Sequence, residues 1–134
     1  MKNVRLLFLL FIFFAGYAAA QSQPVLYLCE KYGNNGEVGI SDRFTKGYLT
    51  VMIKSDEALG LTECAIQFDK WDPYTAKFKY YKKFNYTIEP DMSYVYFNRN
   101  SESDLSFDEV GFFRVYLLDE DGNTVASNLV QIID

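Results

Sequence analysis

The sequence has 134 residues, 49% of them apolar and 18% aromatic, and this composition excludes a chain that is disordered throughout. It contains no histidine, so His-based catalytic triads, His proton shuttles and His-containing zinc sites are excluded. The formal net charge of −5 argues against general nucleic-acid binding, because neutralising phosphates requires clustered positive charge.

The first 20 residues have the three-part pattern of a secretory leader. Lys2 and Arg5 precede an unbroken apolar run over residues 6–14, and small residues follow at 18–20, where a signal peptidase reads the chain. The apolar stretch is about 15 residues long, shorter than the ~20 residues that span a bilayer. We therefore expect cleavage after Ala20, a secreted or periplasmic protein, and one domain over residues 21–134 without a membrane span.

The rest of the chain alternates short β-type stretches with turn residues. Segments rich in Val, Ile, Tyr, Phe and Thr are separated by Gly, Asn, Asp and Pro, which is typical of strands joined by turns. The pattern predicts main strands over residues 25–31, 47–54, 62–69, 76–86, 93–98, 112–118 and 124–133, with a short edge strand within 37–44. Asp121-Gly122 predicts a tight hairpin turn between the last two strands.

The start of the sixth main strand carries a recognisable pattern. Glu109, Gly111, Phe113 and Val115 place an acidic, a small, an aromatic and an inward-facing residue at every second position. With the hairpin that follows it, this stretch resembles the last two strands of the immunoglobulin-like β-sandwich superfamily. Phe113 stands where that fold has its corner tyrosine, and Val115 where antibody domains have their second cysteine. The resemblance implies an all-β, immunoglobulin-like antiparallel sandwich of seven to eight strands.

Cys29 and Cys64 allow two interpretations. In an oxidising compartment an even number of cysteines often forms a bridge, so a Cys29–Cys64 disulfide is one expectation. The other is two separate buried thiols that behave as small apolar side chains. Because the chain lacks a histidine base, neither cysteine is predicted to be a catalytic nucleophile.

Residues 70–86 combine aromatic rings with the main cluster of lysines. As a binding surface, this segment would use Trp71, Tyr74, Lys77, Lys79, Tyr81 and Lys83, with rings that stack on sugars or anchor a peptide and lysines that attract anions. As an edge strand, its lysines would discourage aggregation and its even-numbered aromatic residues would face the core. Strict alternation puts Tyr81 on the lysine face, where it would have no role in the core.

Asp119, Asp121 and Asn123 form a weak calcium candidate. Oxygen-bearing residues at alternate positions resemble the start of a calcium loop, but position 12 of that loop is Val130 rather than glutamate. A hairpin turn explains the same residues. Glu102, Asp104 and Asp108 form a still weaker candidate, and no metal or other cofactor is predicted.

The sequence thus predicts an exported, non-catalytic protein-interaction or adhesion module with a protein partner. The alternative is a module that binds a carbohydrate or an anionic ligand through residues 70–86. No enzyme activity and no nucleic-acid partner are expected.

Overall fold

The structure, a computed structural model, describes residues 23–134, and every regular element in this range is a β-strand. The strands are β1 (Val25–Cys29), β2 (Lys31–Gly33), β3 (Gly36–Val38), β4 (Arg43–Thr45), β5 (Gly47–Tyr48), β6 (Thr50–Lys54), β7 (Glu63–Asp72), β8 (Lys77–Thr87), β9 (Tyr94–Phe97), β10 (Ser106–Phe107), β11 (Gly111–Leu118) and β12 (Thr124–Ile133). Between residues 23 and 134 no helix has the length and apolar character needed to cross a membrane. The leader expected over residues 1–20 lies outside the described residues.

Two sheets form the body of the domain. A three-stranded antiparallel sheet has the order β1-β6-β9, and a five-stranded sheet has the order β4-β12-β11-β7-β8. Neighbouring strands of the larger sheet are antiparallel, except that β4 runs parallel to β12 with Phe44 opposite Ile132. The short pairs β2–β3 and β5–β10 complete the strand pairing. In this order β8 is an edge strand, as one of the two interpretations of residues 70–86 predicts.

Both large sheets contribute their inward-facing residues to one hydrophobic core, which fits a β-sandwich. Alternate residues of each strand point inward, because successive side chains of a strand lie on opposite faces. Three phenylalanines form the centre: Phe68 stacks on Phe107 with ring centroids 4.6 Å apart, and Phe113 meets Phe107 edge-on at 5.0 Å. Around them lie the aliphatic and aromatic residues Leu26, Leu28, Val51, Ile53, Ile66, Val95, Phe97, Val115, Leu117, Val130 and Ile132.

The β2–β3 hairpin is attached to the outer face of the three-stranded sheet. The Tyr94 hydroxyl donates to Glu37 Oε1 at 2.5 Å, the Tyr27 hydroxyl donates to the same oxygen, and Tyr32 stacks on Tyr96 at 4.2 Å. These hydrogen bonds, the one from Tyr27 first, lower the pKa of Glu37 to about 2. Desolvation and the bond to Glu37 raise the pKa of Tyr27 to about 12.

Most predicted strands are present, but three differ clearly in their bounds. The strand predicted over residues 47–54 is divided, since β5 ends at Tyr48 and pairs with β10, whereas β6 begins at Thr50 and lies in the three-stranded sheet. The first predicted strand, residues 25–31, is divided, since β1 ends at Cys29 and β2 begins at Lys31. The strand expected to end at Asp69 continues to Asp72, so Trp71 lies within β7 and pairs with Phe78. The turn begins only after Asp72, because that carboxylate accepts the Tyr74 backbone N–H at 2.9 Å.

Cys29 and Cys64 are buried, free thiols, so the expected disulfide is wrong and the alternative of two separate thiols holds. The Cys29 thiol donates to the Lys31 carbonyl at 3.4 Å, and the Cys64 thiol donates to the Tyr86 carbonyl at 3.6 Å. The Cys64 thiol is thus held within the five-stranded sheet, whereas the Cys29 thiol bonds to the first residue of β2. Burial raises the pKa of Cys64 to about 11 and also raises that of Cys29, which keeps both groups protonated and unreactive.

Candidate binding surfaces

The β7–β8 hairpin contains a β-bulge that changes which residues of β8 face the core. Phe68 pairs with Lys82, but the next residue, Asp69, pairs with Tyr80, so Tyr81 is the extra residue between the two pairs. A bulge of one residue shifts the alternation of side chains on the strand that carries it. Residues of β8 on the two sides of Tyr81 therefore follow different inside–outside patterns.

The bulge corrects two expectations about β8. Tyr81 is not a free residue on the lysine face, because its ring is partly buried and meets Phe113 at 5.2 Å. Phe84 and Tyr86 pack against the core as expected, whereas Tyr80 is 67% exposed and points outward. Phe78 likewise pairs with Trp71 at the far end of the hairpin, with ring centroids 5.1 Å apart, rather than joining the core.

Three lysines of this region have acidic partners in the fold. Lys79 pairs with Asp72 and Lys70 pairs with Glu109, both at the hairpin end of the sheet. The hydrogen bond from Lys79, together with those from the turn, lowers the pKa of Asp72 to about 2. Lys77 and Lys83 are exposed and form no ion pair within the described part of the chain.

Lys82 connects β8 to the segment around β10. Its ammonium donates to the Ser106 carbonyl at 2.9 Å, to the Ser106 hydroxyl at 3.1 Å and to Asp108 Oδ2 at 2.7 Å. Asp104 Oδ2 lies 3.9 Å from the same nitrogen. Lys82 lowers the pKa of Asp108 through this hydrogen bond. Asp104 and Asp108 thus surround a lysine, which explains their proximity without calcium.

A groove of about 310 Å³ lies at the tip of the β7–β8 hairpin, and we call it the hairpin groove. Of the six predicted binding residues, Trp71, Tyr74, Lys79 and Tyr81 line it, together with Lys70, Asp72, Pro73 and Tyr80. Lys77 and Lys83 do not. Tyr74 is 98% exposed, and the turn that carries it is held by Asp72, which also accepts the Thr75 hydroxyl at 3.0 Å. Ala76 adopts a positive φ of 52° in this turn.

A second surface lies on the outward-facing side of the five-stranded sheet. Leu129 stands opposite Arg114, Arg114 opposite Asp69, and Asp69 opposite Tyr80, so these side chains form a row across four strands. The Arg114 guanidinium lies 4.6 Å from the Phe78 ring centroid. Beside this row is Phe112. We call this surface the outer patch and define it as Trp71, Phe78, Tyr80, Phe112, Arg114 and Leu129.

The outer patch is exposed and apolar at its β11–β12 end. Phe112 is 52% exposed and Leu129 is 48% exposed. Both line an open groove of about 380 Å³ with Asp42, Arg43 and Gln131. The Arg43 side chain donates to Gln131 Oε1 at 3.0 Å and so borders the groove with a polar pair.

Sequence reasoning did not select Phe112, Arg114 or Leu129. Alternation on β11 carried the necessary signal, because an inward Phe113 requires that Phe112 and Arg114 point outward. The neighbours that make them a patch come from β7, β8 and β12, and strand order is not visible in local patterns.

The weak calcium candidate at residues 119–123 forms a hydrogen-bonded turn. Asp119 Oδ1 accepts the backbone N–H groups of Asp121 at 3.0 Å and Asn123 at 2.7 Å. Asn123 donates its side-chain amide to Asp119 Oδ2 at 3.2 Å. These bonds, led by the one from the Asn123 backbone, lower the pKa of Asp119. Across residues 23–134 no group of three His, Cys, Asp or Glu side chains is placed to hold a metal ion.

No model of a protein family, no curated protein and no solved structure matches this chain.

Proposed function

We propose that this chain is an exported, non-catalytic module that binds a protein partner through the outer patch. The observation that carries the proposal is the group of large apolar and aromatic side chains around Arg114, of which Tyr80, Phe112 and Leu129 are exposed and Trp71 and Phe78 half-buried. Scattered apolar side chains are normal on a protein surface, whereas a contiguous patch marks an interaction site. Tryptophan, tyrosine and arginine, all present in the patch, are the residue types that dominate binding energy at interfaces.

Export is proposed from the leader-like pattern of the first 20 residues, and an immunoglobulin-like fold is proposed from the strand order. Lettered in chain order, β1, β6 and β9 correspond to strands A, B and E, and β7, β8, β11 and β12 to C, C′, F and G. The smaller sheet then reads A-B-E and the larger one G-F-C-C′ with β4 added beside G, and A-B-E and G-F-C-C′ are neighbour relations of that fold. A fold of this kind supports many functions, so the functional proposal depends on the patch.

The environment of the acidic residues supports a non-catalytic role. A carboxylic acid that works as a general acid needs a raised pKa, usually from an apolar setting. Asp72, Asp108 and Asp119 all have lowered pKa values, because lysines or turn N–H groups hydrogen-bond to them. These carboxylates serve to stabilise turns and ion pairs.

The proposal is tested by affinity capture with a surface variant. Purified protein is immobilised and exposed to the secreted and envelope fractions of its source cells, and the retained proteins are identified. The variant Phe112→Ser/Leu129→Ser should lose a dominant partner. Val25→Ser/Ile40→Ser, which removes two equally exposed apolar side chains elsewhere, should keep it. Equal retention by all three proteins would contradict the proposal.

Ligand binding at the hairpin groove is the second candidate function. The observation that favours it is that four of the six residues selected for binding line one groove beside the most exposed aromatic residue in the described chain. On this view the ligand is a carbohydrate or an anion that contacts the exposed rings. The two candidates use different surfaces, which share only Trp71 and Tyr80.

A further inference from the structure

We propose that the hairpin groove binds an uncharged glycan, with its exposed rings against the apolar faces of the sugars. This inference rests on the second candidate function and specifies its ligand class. The choice is between a neutral carbohydrate and an anion, and it depends on the charges at the groove, on its rings and on its polar groups.

The charges at the groove are internally compensated. Its two lysines, Lys70 and Lys79, are each paired with a carboxylate, Glu109 and Asp72 respectively. An anion would have to compete with these carboxylates for the ammonium groups. The exposed lysines of β8 that have no ion pair within the described residues, Lys77 and Lys83, lie outside the groove lining. The groove therefore offers little net attraction to a phosphate, sulfate or uronate group.

The rings at the groove are available for stacking. Tyr74 is almost completely exposed, Tyr80 is exposed over two-thirds of its surface, and both line the groove together with Trp71, the single tryptophan of the sequence. A pyranose ring has an apolar C–H face that suits such ring surfaces and a rim of hydroxyls that both donate and accept hydrogen bonds. The carboxylate of Asp72 and the ammonium of Lys79 supply an acceptor and a donor beside the rings.

The size of the groove and the fixed turn beside it also suit a small ligand. A volume of about 310 Å³ is at the lower end of ligand sites, which range over about 300–1,000 Å³. This suits a short stretch of a glycan chain. The turn below the rings is fixed by Asp72, which accepts hydrogen bonds from the Tyr74 backbone and the Thr75 hydroxyl. A fixed turn reduces the entropy that binding would otherwise cost.

Trp71 makes the proposal directly measurable, because all tryptophan fluorescence of the sequence comes from the groove. Purified protein is titrated with uncharged hexasaccharides of glucose, mannose, xylose and N-acetylglucosamine, and separately with heparin and polyphosphate, at low and high salt. We expect a saturable change with at least one neutral oligosaccharide and an affinity that salt does not alter. Tyr74→Ala should weaken it at least about tenfold, or about 1.4 kcal/mol.

Tyr48→Ala is the matched control, because Tyr48 is a 52% exposed tyrosine on β5 that does not line the groove, and it should bind like the parent. A response to heparin or polyphosphate alone, abolished by salt, would overturn the neutral-glycan assignment while leaving a ligand site at the hairpin. No response to any of these probes would overturn both the assignment and the second candidate function. Loss of the captured protein partner in Tyr74→Ala would assign the hairpin to that partner and also overturn the proposal.

Discussion

Replacing Lys82 by methionine should destabilise the domain far more than the same change at the adjacent Lys83. The Lys82 ammonium makes three hydrogen bonds, two of them to Ser106, which is only 4% exposed. Hydrogen bonds to a charged group contribute about 1.5–3 kcal/mol net, whereas an ion pair to an exposed carboxylate such as Asp108 adds at most about 1 kcal/mol. Methionine retains the aliphatic packing, so we expect a loss of about 2–3 kcal/mol.

Lys83 is exposed and has no ion pair among residues 23–134, so Lys83→Met should change the free energy of unfolding by less than about 0.5 kcal/mol. Each variant removes one positive charge, so the two have the same net charge and form a matched pair. Urea unfolding followed by circular dichroism gives the two free energies. If Lys82→Met costs no more than Lys83→Met, the attachment of β8 to the β10 segment through this ammonium does not contribute to stability.

Two further predictions concern groups held by their surroundings. Glu37→Gln should loosen the β2–β3 hairpin, seen as faster amide hydrogen exchange there, while the exchange of β11 stays unchanged. Because the folded pKa of Glu37 is about 2 and that of an unfolded glutamate is about 4.3, the carboxylate stabilises the hairpin fully above pH ~4.3 and progressively less as the pH falls through about 2; unchanged hairpin exchange across this range would argue against such an attachment. Cys29 and Cys64 should not react with a thiol reagent in the native protein and should both react after unfolding without reductant, whereas an unreactive unfolded protein would indicate a disulfide.

The last hairpin shows how much of the fold local patterns predict. Alternation over residues 112–118 put Phe113 and Val115 inward, and both are completely buried. The Asp121-Gly122 pair predicted the turn between β11 and β12, and Gly122 has a positive φ of 83° there. A single period and one turn motif are sufficient here, because the register shift of this hairpin lies between Leu117 and Leu118, at its turn end, where Val125 is the extra residue of β12.

The β7–β8 hairpin shows where local patterns fail. A bulge at Tyr81 adds one residue to a strand with a period of two, so every assignment of a face beyond it is reversed. Nothing in residues 77–87 distinguishes Tyr81 from Tyr80, because both are tyrosines between lysines and other aromatic residues. The bulge results from how β8 fits against β7, which is a tertiary interaction.

The candidate surfaces could be predicted only in part for a related reason. Aromatic residues near a turn, such as Trp71 and Tyr74, were recognisable from composition. The roles of the lysines depend on distant acids, since Lys70 pairs with Glu109 and Lys82 with Asp108. Such partners are set by strand order, so a basic cluster in the sequence became, in the fold, a surface with mostly compensated charge.

The parallel contact between β4 and β12 contributes to how the domain resists a pulling force. Tension at the two ends first loads β1 and β12, and it reaches β4 once β1, β2 and β3 have detached. The strands β4 and β12 are then drawn in opposite directions along their common axis. Their hydrogen bonds, including Gln131 N–H to the Asp42 carbonyl and Lys46 N–H to the Ile133 carbonyl, are then loaded together in shear. A hairpin pulled at its open end breaks its bonds one after another. The contact between β4 and β12 would thus yield only when several of its bonds fail at once.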